Sequence, residues 1–157
     1  VSPRRMQVVT RADGVTVIND AYNANPDSMA AGLKALAWMA RSAGQRRRSW
    51  AVLGEMAELG DEAIAEHDRI GRLAVRLDVS RLVVVGTGRT MSAMHHGAVM
   101  EGSWGSESTM VPDPEAALAL LRAELAPGDV VLVKASNAAG LGTLAEALLA
   151  EPGDPRG

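Results

Sequence analysis

Polar side chains placed between a strand's end and a helix's start can reach a ligand while the scaffold holds them from both sides. The stretch Asp20-Ala21-Tyr22-Asn23-Ala24-Asn25-Pro26-Asp27-Ser28-Met29 has that character. Before it, Val15-Thr16-Val17-Ile18 is a short β-branched run that reads as a buried strand. After it, Asn25 is a good N-cap and Pro26 suits the first helical position. Asp20 and Asn23 therefore fall in a strand-to-helix loop, where open parallel sheets bind ligands. The plainer reading, a capped turn with incidental polar residues, stays open. A second polar cluster, Lys134-Ala135-Ser136-Asn137, ends the last strand. Lys34 and Lys134 are the only lysines, so chemistry that needs a primary amine has few alternatives. Lys134 reads equally as a strand-end lysine reaching solvent.

Other candidates carry less. Gly86-Thr87-Gly88-Arg89-Thr90-Met91 follows a strand and opens a helix, but Met91 stands where a dinucleotide loop needs its third glycine. His67 falls on an apolar helical stripe and reads as a structural histidine; His95 and His96 read as surface residues without metal spacing. Glu55 and Glu58 lie in the loop after the second main strand, before an expected N-cap at Asp61. No G-x-x-x-x-G-K-[ST] loop occurs, so the chain has no phosphate cradle of its own.

The elements that must position these residues alternate. Helices are predicted from about Pro26 to Arg41, from Asp61 to Leu77, through Met91 and Met94 as a short one, from Pro114 through Leu125, and around Leu141 to Leu148. Strands are predicted at Val15 to Ile18, Trp50 to Leu53, Leu82 to Val85, Ser108 to Val111 and Val130 to Val133. Met6 to Val9, separated from Val15 by Ala12-Asp13-Gly14, adds an antiparallel hairpin strand. This alternation implies an α/β fold, a Rossmann-like, mostly parallel sheet with helices on both faces.

The chain has 157 residues, enough for one domain with a sizeable core and no disulfides. A formal net charge of -3 argues against nucleic acid or an anionic membrane as the main partner. Arg46-Arg47-Arg48 reads as a solvated loop. No apolar stretch approaches transmembrane length, no signal peptide opens the chain, and cysteine is absent, so a cytoplasmic location is expected. The absence of a starting Met at Val1 suggests an excised piece.

The string at 20 to 29 resembles the Asp-Asp-(Ser/Ala)-Tyr-Asn-Ala-Asn-Pro-x-Ser-Met motif of the Mur ligase family, in the form carried by the amide ligases that add D-alanyl-D-alanine to UDP-N-acetylmuramoyl-tripeptide. Three further stretches fall in the family's order: Arg5-Met6-Gln7, Leu53-Gly54-Glu55-Met56-Ala57-Glu58-Leu59-Gly60 followed by His67, and Val133-Lys134-Ala135-Ser136. The resemblance covers roughly 4 to 150. It implies a C-terminal domain over 1–150 belonging to a three-domain enzyme of peptidoglycan synthesis; the tail at 151–157 is expected to be disordered from its position and composition.

What the resemblance implies is specific. In the whole enzyme ATP phosphorylates the tripeptide carboxylate, and the dipeptide amine then displaces phosphate. The phosphate loop, the Mg²⁺ ligands and a carbamylated lysine belong to the central domain, and the N-terminal domain holds the muramyl nucleotide. The C-terminal domain, inactive alone and without catalytic residues, closes over them and contributes contacts to ATP and a seat for D-alanyl-D-alanine. Arg5 is implied to reach ATP, Asp20 its ribose, and Tyr22, Asn23 and Asn25 the base or the loop backbone. Glu55 and Met56 are implied to line the dipeptide pocket, with Lys134, Ser136 and Asn137 facing the dipeptide carboxylate. The sequence departs from the family at Asn19, where a second Asp is common, and at Ala135 and Asn137, which replace Gly and Arg of Lys-Gly-Ser-Arg. Rival readings are another ligase of the superfamily, adding the third stem residue or of the folylpolyglutamate type, and a stand-alone nucleotide-binding module.

Overall fold

A computed structural model describes residues 6–103 and 105–150. Arg5 and the tail at 151–157 lie outside the described residues. In chain order the elements are β1 (Gln7–Thr10), β2 (Thr16–Asp20), α1 (Pro26–Arg41), β3 (Ser49–Leu53), α2 (Ala63–Arg76), β4 (Arg81–Val85), α3 (Arg89–Glu101), β5 (Ser108–Val111), α4 (Pro114–Glu124), β6 (Val130–Lys134) and α5 (Gly142–Ala150). The strands form one six-stranded sheet in the order β1-β2-β6-β3-β4-β5. Only β1 runs antiparallel, paired with β2 from Gln7↔Asn19 to Thr10↔Thr16. The expected alternation, hairpin strand and parallel sheet are all present.

Side chains alternate across the strands and divide the core into two layers. On one face Ile18, Ala51, Leu53, Leu82, Val84 and Leu132 pack against Met29, Leu33 and Leu36 of α1, Ile70 of α2, and Met91 and Met94 of α3. On the other, Val17, Trp50, Val52, Val83, Val131 and Val133 pack against Ala117 and Leu121 of α4 and Leu144 and Leu148 of α5. Each fully buried Leu, Ile or Met contributes about 1.5–3 kcal/mol.

Local sequence sets the helix starts. Asn25 accepts from the Ser28 amide at 2.8 Å while Ser28 Oγ accepts from the Asn25 amide at 3.0 Å, a reciprocal cap ahead of Pro26. Asp113 accepts from the Ala116 amide at 2.8 Å ahead of Pro114. Asp61 is not an N-cap: a single 3₁₀ turn at Gly60–Glu62 runs into α2 without a side-chain cap.

Three further expectations are corrected. The helix after Gly88 is not short, since α3 runs 13 residues to Glu101. Its later turns are held by a close crossing with α2, where a Cβ on Gly71 would stand 2.0 Å from the Met94 carbonyl oxygen and one on Gly97 would stand 2.4 Å from that of Asp68. Two glycines low in helix propensity are what allow this packing. The arginine run is not wholly solvated. Arg47 donates to the Gly128 carbonyl at 2.6 Å and to Thr16 Oγ1 at 2.9 Å, and Arg48 donates to both Asp129 oxygens at 3.2 and 2.8 Å. His95 is half-buried and lies 2.7 Å from Ser108 Oγ.

Candidate nucleotide and dipeptide site

β2 and β6 lie side by side and parallel, with Asp20 and Lys134 as Cα partners at their carboxyl ends. From β2 the chain enters α1 on one face of the sheet; from β6 it enters α5 on the other. Divergence of this kind opens a crevice at the carboxyl edge, where open α/β sheets bind ligands. The loop at 20–25 therefore occupies the topological switch point.

The loop is built by short-range chemistry. Asn19, buried, accepts from the Ala21 amide at 3.3 Å and turns the chain out of β2. Ala21 and Ala24 are buried beneath it, while Tyr22 is half-buried and Asn23 and Asn25 are exposed. The Asn25 acceptor is taken by the cap on Ser28. Tyr22 lies against Gly142 of α5, where a Cβ would stand 3.1 Å from its ring, and its hydroxyl is 3.5 Å from Glu146 Oε1.

Lys134 does not reach solvent. It is 1% exposed, and its stem passes Gly32 of α1, where a Cβ would stand 3.2 Å from Lys134 Cδ. Its ammonium forms an ion pair with Asp20 and donates to the Asn23 carbonyl oxygen at 3.0 Å. A cation this deep is tolerated because it is paired and hydrogen-bonded. The sheet's main chain joins the next loop to the same place. The Gly54 amide donates to the Lys134 carbonyl at 3.0 Å, and the Ser136 amide donates to the Glu55 carbonyl at 2.9 Å.

Glu55 is exposed and accepts from Thr90 Oγ1 at 2.5 Å, a contact from the start of α3 that no local pattern marks. Met56 faces inward instead: its side chain is buried in the core and its amide donates to His67 Nε2 at 2.9 Å. Any lining role for Met56 is thereby confined to its backbone. His67 Nδ1 lies 2.6 Å from the Ala63 carbonyl oxygen, so the tautomer carrying its proton on Nδ1 satisfies both contacts. His67 is a structural residue, as its stripe position implied.

The structure brings Tyr22 and Asn137 into one shallow cavity of about 240 Å³, completed by Gly140, Gly142, Thr143 and Glu146. Ser136, two residues past the end of β6, is buried, and Asn137 is exposed. A larger depression of about 770 Å³, between α2 and α3, is lined by Thr87, Arg89 and His96 and contains none of the residues implied for ATP or the dipeptide. Among the described residues no group of three or more His, Cys, Asp or Glu is placed to hold a metal. No helix among them is long and apolar enough to cross a membrane.

Comparison with known proteins agrees with this fold. The chain is 74% identical over 162 residues to the UDP-N-acetylmuramoyl-tripeptide--D-alanyl-D-alanine ligase of Mycobacterium tuberculosis, covering 96% of the chain and 32% of that protein. It is 36% identical over 137 residues to the ligase of the same name from Synechocystis, covering 87% of the chain and 28% of that protein. It thus spans about a third of the length of the curated relatives it matches. Among solved structures, MurF from Acinetobacter baumannii superposes with a TM-score of 0.76 at 26% identity, covering 96% of this chain and 31% of that one. The MurF ligase from Thermotoga maritima in complex with ADP superposes with a TM-score of 0.74 at 25% identity, with the same coverage. The family described as Mur ligase, glutamate ligase domain, matches residues 4–137, and the chain belongs to it.

Proposed function

We propose that this chain is the C-terminal domain of an ATP-dependent, cytoplasmic ligase that adds D-alanyl-D-alanine to UDP-N-acetylmuramoyl-tripeptide. The observation that carries the reading is the polar loop at 20–25, set at the switch point of a sheet whose relatives at 74% identity bear that name. ATP, when bound, supplies the phosphoryl group that activates the tripeptide carboxylate.

The chain's own part is to bind, orient and close. Asp20 has a second oxygen for a ribose hydroxyl beside the one paired with Lys134. Tyr22 and Asn23 offer a ring and an amide to the base, and the Asn25 amide nitrogen donates alongside its capping oxygen. Arg5, outside the described residues, is proposed for ATP through its fixed fork of donors. Glu55, Ser136 and Asn137 lie on the two joined loops of the same edge and are the proposed dipeptide side. The cavity of about 240 Å³ is smaller than most complete ligand sites, which suits a half-site completed by the enzyme's other domains. Those domains are proposed to hold Mg²⁺, the phosphates and the muramyl nucleotide.

The test is ATP- and dipeptide-dependent phosphate release by the full-length protein with UDP-N-acetylmuramoyl-tripeptide. Product carrying D-alanyl-D-alanine is expected. Phosphate release only with L-lysine, diaminopimelate or glutamate as the amine would move the chain to another ligase of the family.

A further inference from the structure

We propose that Lys134 is a positioning residue for the nucleotide loop and not a ligand of the dipeptide carboxylate. The inference rests on the reading of the loop at 20–25 as the ATP contact.

Three observations carry it. First, the ammonium is directed at the loop from beneath, meeting the Asp20 carboxylate and the Asn23 carbonyl oxygen at 3.0 Å. At 1% exposure it would have to abandon both to meet a carboxylate outside. Second, the two contacts bracket the loop. One fixes the carboxylate that ends β2, and the other fixes the backbone of Asn23, whose side chain is left exposed. Tyr22 lies between them in the chain, so its backbone is held on both sides. Third, the path of the lysine is prepared elsewhere in the chain. Gly32 on α1 leaves the stem its room, and any larger residue would press on Cδ at 3.2 Å. Residues 53 and 20 flank Lys134 on the neighbouring strands, so the lysine occupies the middle of the carboxyl edge and supports the loop from the centre of the sheet.

A cation used this way orders the loop before ATP arrives, reducing the ordering that binding must supply. It also selects the rotamer of Asp20, leaving one carboxylate oxygen for the ligand. Removing the ammonium should therefore act through Asp20, and the two residues should not behave independently.

The experiment is a double-mutant cycle in the full-length ligase, measuring Michaelis constants for ATP and for D-alanyl-D-alanine together with melting temperature. Lys134→Met should raise the ATP constant about tenfold and leave the dipeptide constant within about twofold. Asp20→Ala should also raise the ATP constant, and the double variant should be no worse than the worse single one. If Lys134→Met does not fold, Lys134→Gln, which keeps a donor for the Asn23 carbonyl, is judged by the same outcomes. A rise in the dipeptide constant alone, equal rises in both constants, or multiplying effects of the two substitutions would each overturn the proposal. An ATP constant unmoved by Asp20→Ala would overturn it together with the assignment of the loop to ATP, whereas the first three outcomes leave that assignment standing.

Discussion

The two ends of the sheet are both rich in polar side chains, yet they use them differently. At the amino end, Trp50 is buried and donates its indole N–H to Asp129 Oδ2 at 2.9 Å. The same carboxylate accepts from Arg48 and from the Ala126 amide, while Arg48 and Arg81 lie 5.3 and 4.9 Å from the Trp50 ring centre. Ser49 and Ser80 exchange backbone-to-hydroxyl bonds at 2.9 Å. Trp50, Asp129, Ser49 and Ser80 each find a partner within the chain. At the carboxyl end one ion pair, half-buried Asp20 with buried Lys134, lies beneath loops whose Asn23, Glu55 and Asn137 are exposed. Polar density alone does not mark a ligand site; the proposed site is the end where polar groups stand outward above a satisfied layer.

That contrast predicts that damage at the amino end registers as stability and damage at the carboxyl end as function. Trp50→Ala should have the largest effect, about 3–5 kcal/mol of lost stability, because it leaves a cavity and strips a donor from Asp129. Chemical denaturation measures it. Asp129→Asn should cost about 1–3 kcal/mol, since an amide removes the charge paired with Arg48 and sets an NH₂ donor where Oδ1 accepts from Arg48 Nε. In the full-length enzyme, neither is expected to alter the ATP constant once the protein is folded. Asn23→Ala should do the reverse, changing stability by less than about 0.5 kcal/mol while raising the ATP constant about fivefold, the equivalent of one lost neutral hydrogen bond. A stability loss without a change in the ATP constant would erase the distinction between the ends.

The smallest expected effect depends on pH. Arg11 hydrogen-bonds Asp13 in the β1–β2 turn, and this contact holds the Asp13 carboxyl below its ordinary range. The stabilisation is present at neutral pH and disappears as pH falls through the folded-state titration of Asp13. Asp13→Asn should therefore reduce stability by less than about 1 kcal/mol at neutral pH and have no effect in strong acid. Denaturation midpoints along a pH series measure this difference.

Short-range signals were the readable ones. Asn25-Pro26 and Asp113-Pro114 announced the starts of α1 and α4, because a cap needs only its own next three residues. The apolar run Leu82-Val83-Val84-Val85 announced β4 for the same reason. What escaped was long-range. Arg48 meets Asp129 across 81 positions and Lys134 meets Asp20 across 114, and no local pattern reports such pairs. The length of α3 was missed because Gly97 argues against helix locally, whereas close packing on α2 requires it. Asp20 and Lys134 were each visible as polar strand ends, but their pairing was not, and the family resemblance implied different ligands for them.

Hydrogen exchange in the full-length protein tests the division between the two ends most directly. With UDP-N-acetylmuramoyl-tripeptide and a non-hydrolysable ATP analogue present, backbone amides of 20–25 should exchange more slowly than without nucleotide. Those of 47–50 and 126–130 should exchange at the same rate in both conditions. Protection confined to the amino end, or none at 20–25 under saturating nucleotide, would contradict the assignment of the carboxyl edge to ATP.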